Sequence, residues 1–402
     1  MVRIGLVGLP YDDNLGDPLM IECVKQLCIH ELDNKYGTDN IEFKIIDLMA
    51  RKDTKTIQVK KNMGYYFFSG LKKITTNERL FQKYEIRAFN WSKRKLFRDY
   101  YQEQLKNIDF LIVVGGALIT YRFDRNFHSP LYELIMVAES LDKKVIFNSV
   151  GIENSYDLSY ESCRMVKRYL NSKSVVAIST RDDFETLNRY LNDQHSKMIA
   201  LTSDSAVFTN EIFKKYVVDK KYDLGIGLIS PEKFNQYRDD NLSFEYISLV
   251  KSIINECIEK DINFCLFTNG HHKDYEFALS IIDEFNLPQN RILPRPESFY
   301  DLIEHISMFD RLVTSRLHSC IIAFSLNIPF VGIDWNGKLK FFSQIISREY
   351  FVGTPKEIQS SKDVFNKLDK FDPAYFSTSE VEEYKETEMK FLSKSLDIVQ
   401  TS

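Results

Sequence analysis

Short apolar runs alternate with longer stretches of helical periodicity along most of the chain, and most of the runs close on glycine, serine or a polar loop. Residues 2–9 form the first run, followed by a polar turn and a helical pattern over 18–32. Runs at 41–48, 108–114, 144–150, 175–179 and 198–201 continue the series, with helical patterns over 131–141 and 160–171 between them. A second series opens at 222–229 and passes through 263–268, 291–293, 309–314 and 330–333, with helices over 244–260, 275–285 and 299–307. Strands this apolar and this regularly separated by helices predict parallel sheets covered on both faces.

Two series in 402 residues exceed what one core usually holds, so two domains are expected. The pattern divides into an N-terminal Rossmann-like domain over 1–215, a C-terminal one over 216–360, and a helical tail over 361–402 lying back on the first domain. Residues 211–222, charged and weakly periodic, read as the linker.

Residues 51–107 break the rhythm. They are rich in Lys and Arg and interleaved with Tyr65, Tyr66, Phe67, Phe68, Phe81, Phe89, Trp91, Phe97 and Tyr100. This insertion reads either as amphipathic helices turning solvated cations to water, or as a peripheral dock for an anionic membrane or a lipid-diphosphate head group.

A formal net charge of -4 with 27% charged residues argues against a dedicated nucleic-acid binder. The six cysteines are scattered in apolar surroundings and read as buried thiols. His271 and His272 are adjacent but lack a third ligand at recognisable spacing, so they read as surface histidines with Asp274 as a helix cap, and no metal is expected. Residues 1–10 lack the basic region and cleavage site of a signal peptide, and no apolar run approaches the ~20 residues of a membrane span, so a cytoplasmic protein is expected.

Candidate chemistry collects where strands become helices, the place at which parallel sheets bind ligands. Arg316 and His318 stand at such a junction, after the 309–314 run, with Ser315 and Leu317 beside them. Arg181 and Asp182 occupy another. Gly115 and Gly116 end the 108–114 run, where close backbone approach or a ligand would require them. In the first turn Asp13, Asn14, Gly16 and Asp17 either cap the helix that begins at Pro18 or contact a ligand.

These motifs in this order, together with Ser149-Val150-Gly151, Asp204-Ser205-Ala206, Pro329 and Lys338, resemble the polysaccharide pyruvyl transferases over most of the chain outside the insertion. The resemblance implies two Rossmann-like domains facing a central cleft, as in GT-B glycosyltransferases. It implies transfer of a pyruvyl group from phosphoenolpyruvate to sugar hydroxyls of a cell-surface polysaccharide or its lipid-linked precursor, with no cofactor beyond that donor. On this basis Arg316, Arg181 and Lys338, with Ser315 and Leu317, bind the donor, because arginine forks suit carboxylate and phosphate. His318 is the acid that protonates the enol, Asp17 is the base, and Asp13, Asn14, Gly16, Gly115 and Gly116 meet the acceptor. A GT-B glycosyltransferase using a nucleotide sugar, and an inactive scaffold in glycan assembly, are the competing readings.

Overall fold

The computed structural model describes residues 1–51, 67–68, 70–71, 77–121, 126–153, 156–193, 197–237, 242–376 and 378–401. Tyr65 and Tyr66 of the insertion lie outside the described residues. The chain divides into two compact units, one of Met1–Asp12, Met20–Ser203 and Thr387–Ser402, the other of Asp13–Leu19 and Asp204–Glu386.

The first unit holds six parallel strands, β1 (Val2–Gly8), β2 (Ile41–Asp47), β3 (Phe110–Val114), β4 (Lys144–Val150), β5 (Val175–Thr180) and β6 (Met198–Leu201), in the order β2-β1-β3-β4-β5-β6. Every residue of β3 is buried, which is why its sequence is an unbroken apolar run. Helices His128–Ser140 and Glu161–Leu170 supply Leu134, Val137, Val166 and Tyr169 to the same core as Val113, Phe147 and Ile178. Each such side chain contributes about 1.5–3 kcal/mol on burial. The chain leaves β1 for one edge and returns to β3 on its other side, so the topological switch lies between β1 and β3.

Within the insertion, helices Glu78–Ser92 and Arg94–Leu105 bury Ile86, Phe89, Phe97 and Tyr101, and expose Lys83, Arg87, Lys95 and Arg98. Trp91 is also turned outward, 62% exposed. No helix among the described residues is long and apolar enough to cross a membrane. All six cysteines are buried.

The second unit holds β7 (Tyr222–Gly227), β8 (Phe264–Phe267), β9 (Phe309–Thr314), β10 (Phe330–Ile333) and β11 (Val352–Gly353), all parallel, in the order β11-β10-β9-β7-β8. Its switch point lies between β7 and β9, whose last residues Gly227 and Thr314 are in register. Leu224, Ile226, Val313 and Val331 pack against Leu249, Ile253 and Ile281 from the covering helices.

Four local features differ from the sequence reading. Residues 211–222 are no open linker, because Phe213 packs on Phe299 and Tyr216 stacks on Tyr300 at 4.3 Å, which ties the segment to the second unit. The division therefore falls after Ser203 rather than after residue 215. Asp13–Leu19 also joins the second unit, and the C-terminal Ser379–Thr401 helix is divided, its residues from Thr387 belonging to the first. Around 291–293 only a 3-10 turn and a single bridge from Ile292 to Leu266 form, the run being too short for a strand.

Candidate functional site

β9 ends at Thr314, and Arg316 takes the N-cap position of the Leu317–Ser325 helix with extended backbone (φ -99°, ψ 124°). Its backbone N–H donates to Thr314 Oγ1 at 3.3 Å, and the Trp335 indole N–H donates to the Ser315 carbonyl at 3.0 Å. These bonds fix the junction beside the switch point. Lys338, half-buried, is the first residue of the Lys338–Ile345 helix. Gly337 precedes it with φ 86°, its N–H donating to Asp334 at 3.0 Å.

The Arg316 guanidinium is almost buried, and its Nε donates to Asp274 Oδ2 at 2.9 Å, with Nη2 donating to the same oxygen. Asp274 is fully buried, and its other oxygen accepts the Ser230 N–H at 2.9 Å. The helix-cap assignment of Asp274 is thereby corrected: it lies inside the first turn of the His272–Glu284 helix, whose N-cap is His271, and it serves as the counter-ion of Arg316. Nor is His271 a plain surface histidine. It is half-buried, its Nδ1 is enclosed without a hydrogen-bond partner, and burial pushes its pKa down, opposed by Asp274 and Asp13 and assisted by Arg316 and Lys233. The imidazole is therefore neutral near pH 7.

His318 is 5% exposed, with Nε2 at 3.7 Å from Asp204 Oδ2. Asp204 itself caps the Ser205–Phe208 turn, its Oδ1 accepting the Ala206 N–H at 2.9 Å, so the carboxylate beside the imidazole is fixed. On its other flank the ring meets the backbone of Gly16: a Cβ there would lie 1.9 Å from Nδ1. Gly16 is thus required by close approach to a side chain. Asn14 Nδ2 donates to Asp17 Oδ2 at 2.8 Å, and Asp17 is 8% exposed at the start of the Gly16–Tyr36 helix, while Asp13 is exposed. The Leu15 N–H donates to the Asn269 carbonyl at 3.3 Å, and Ser319 Oγ donates to Asn269 Oδ1, which joins the first-turn loop, the end of β8 and the His318 helix.

Asp13, Asn14, Gly16, Asp17, Ser315, Arg316, Leu317, His318 and Lys338 therefore share the second unit. Arg181, Gly115 and Gly116 belong to the first. Arg181 follows the last residue of β5, buried, with Nη1 against Met20 Sδ at 2.7 Å. Asp182 accepts the Ile152 N–H at 2.8 Å, and it is Asp183 that caps the next helix. Gly115 and Gly116 adopt φ 52° and 66°, and the Gly116 carbonyl accepts the Gly151 N–H at 2.6 Å, so both answer a backbone requirement.

The sequence reading gives no site role to Asp204, Asn269, His271 or Asp274, although Asp204 stands in one of the motifs of the resemblance. Asn269 and His271 stand just beyond β8, a strand-to-helix junction of the same kind as the one that drew attention to Arg316.

Two parallel α/β units of Rossmann-like, GT-B-like kind define a fold shared with solved sugar-nucleotide enzymes. The UDP-GlcNAc 2-epimerase of Methanocaldococcus jannaschii matches over 100% of this chain and 99% of its own at 10% identity, TM-score 0.54. The Rickettsia bellii 2-epimerase matches over 100% and 96% at 14% identity, TM-score 0.52. The Neisseria meningitidis enzyme, solved bound to UDP-GlcNAc, matches over 100% of both chains at 11% identity, TM-score 0.52. At these identities the likeness is one of fold. A search of curated protein sequences finds no match. The family model for polysaccharide pyruvyl transferase matches residues 44–337, and the chain belongs to that family of transferases. Arg181, Arg316 and His318 fall within the match, Lys338 stands one residue beyond it, and the first-turn loop precedes it.

Proposed function

We propose that the chain transfers the pyruvyl group of phosphoenolpyruvate to two hydroxyls of one sugar, closing a cyclic ketal on a cell-surface polysaccharide or its lipid-linked precursor. The observation that carries this reading is His318, an imidazole enclosed between the Asp204 carboxylate and the Gly16 backbone at the carboxyl end of β9.

In this scheme His318 gives a proton to the methylene carbon of the enol, and the double-bond electrons form the new C–H bond. The adjacent carbon becomes oxocarbenium-like, and a first sugar hydroxyl attacks it, its proton passing to Asp17. A second hydroxyl then attacks the same carbon as the bond to phosphate breaks, and phosphate departs with the bonding electrons and the second proton. Lys338, at a helix N-terminus, neutralises the leaving charge. Arg316 turns Nε and Nη2 to Asp274, and Nη1 is the edge it offers the donor's carboxylate or phosphate. Ser315 and Leu317 line the same junction. The scheme uses no cofactor besides the donor substrate. The roles of Arg181, Gly115 and Gly116 rest on the family resemblance alone.

The exposed face carrying Lys83, Arg87 and Trp91 is assigned to peripheral contact with an anionic membrane on the cytoplasmic side, which would bring a lipid-linked acceptor near. Phosphate release from phosphoenolpyruvate with a panel of glycan acceptors, followed by mass analysis for the ketal, tests the activity. His318→Ala is expected to bind phosphoenolpyruvate without turnover, and an unimpaired variant would sink the acid role. A glycosyltransferase using a nucleotide sugar differs in what the Arg316 and Lys338 region holds, and direct binding separates the two.

A further inference from the structure

A second site stands in the first unit, among helices rather than at strand ends. A cavity of about 300 Å³ is lined by Arg94, Arg164 and Arg168, with Tyr132, Glu133 and Asn90 among its other walls. That volume is at the lower end of small-ligand clefts, which run from roughly 300 to 1,000 Å³.

Its cations are held in different ways. Glu133, whose side chain is 3% exposed, ion-pairs with Arg94 Nε at 2.9 Å and Arg98 Nε at 3.4 Å, while its Oε2 accepts no hydrogen bond. Burial raises the Glu133 pKa, and the two arginines oppose the rise. Arg164 Nη1 donates to the carbonyls of Leu158 and Ser159, which anchors this guanidinium beside the cavity it lines. Arg168 lies over the Tyr132 ring at 5.5 Å, and among the described residues it makes no ion pair. Arg164 and Arg168 are four apart on the Glu161–Leu170 helix, so they share one face of it. Four guanidiniums in or beside the cavity thus meet two carboxylates, Glu133 and Glu161.

Three arginines line one small cavity whose walls also include Ile86 and Met165, and guanidinium forks suit phosphate geometry as lysine point charges do not. We propose that this cavity binds a phosphoanion, the phosphate or diphosphate of a phosphorylated sugar or of a lipid-linked glycan, independently of the donor site. Trp91, exposed one residue after Asn90 in the cavity wall, would allow the same ligand to be taken from a membrane surface.

The test is calorimetric titration of the full chain with inorganic pyrophosphate, comparing wild type, Arg164→Ala/Arg168→Ala and Lys338→Ala. Both arginines are exposed, and thermal unfolding checks that the double variant keeps its fold. The expected result is binding that weakens at least tenfold in the arginine variant and persists in Lys338→Ala. Equal affinity in wild type and the arginine variant, loss in Lys338→Ala alone, or no binding at all overturns the proposal. Co-sedimentation with phosphatidylcholine vesicles, with and without a polyprenyl diphosphate, then distinguishes the source. Retention by the diphosphate vesicles that pyrophosphate competes away assigns the lipid-linked ligand. Pyrophosphate binding without such retention assigns a soluble phosphorylated one.

Discussion

Adding one methyl group at Gly16 tests the geometry around His318 without touching a charged residue. A Cβ at that position would sit 1.9 Å from Nδ1, 2.1 Å from Cγ and 2.6 Å from Cε1 of the imidazole. Non-bonded heavy atoms settle near 3.5 Å, so ring or loop must move by roughly 1.5 Å. The ring has little freedom, being rooted in the Leu317–Ser325 helix and flanked by Asp204. Overpacking of this kind costs about 1–3 kcal/mol, and a displacement near 1 Å at a reacting group costs about 10²-fold in rate. Gly16→Ala is therefore expected to lower stability by that amount and turnover by about two orders of magnitude. Thermal or urea unfolding of wild type, Gly16→Ala, His318→Gly and the double variant forms a cycle that isolates the contact. Once the imidazole is removed, alanine at position 16 should cost almost nothing. If Gly16→Ala is equally destabilising with and without the imidazole, the proposed contact is refuted.

Asp274→Asn leaves the Arg316 guanidinium buried without a counter-charge, and urea unfolding should show a loss of about 3–5 kcal/mol, much of it recovered by Asp274→Leu/Arg316→Met. His128 is 1% exposed, and burial lowers its pKa from 6.5 to about 3. The folded protein therefore keeps it neutral where the unfolded chain takes up a proton. Its stabilisation is complete above pH 6.5 and falls by up to about 1.4 kcal/mol per unit as pH drops towards 3. Unfolding free energies measured across that window should flatten in His128→Leu. His271, depressed in the same direction, contributes a pH dependence of the same sign below pH 6.5, read as the change that His271→Leu makes to the same profile.

Much of the fold is visible in the sequence because a strand buried on both faces has to be apolar throughout. The bounds of β4, β9 and β10 and of the Phe299–Ser307 helix coincide with the reading from the sequence pattern, and the structure adds a Ser298/Asp301 capping box at that helix start. Those signals are local. What they could not supply is partnership over distance. Asp274 has the sequence position of a helix cap, and only the fold brings it to Arg316, 42 residues away. Asp204 lies at the end of the first strand series, yet its carboxylate faces His318 in the second unit. Gly16 invites explanation by a tight turn, whereas its lack of a side chain is needed by an imidazole some 300 residues further on. The insertion resolves into helices whose apolar face is buried and whose cations face outward, as amphipathic spacing dictates.

The most direct test of the account is calorimetric binding of phosphoenolpyruvate against a panel of nucleotide sugars that includes UDP-GlcNAc, with wild type and Lys338→Ala. Wild type is expected to bind phosphoenolpyruvate in preference to every nucleotide sugar, and Lys338→Ala to weaken this binding. Preference for a nucleotide sugar, or binding of none of these ligands, would contradict the account.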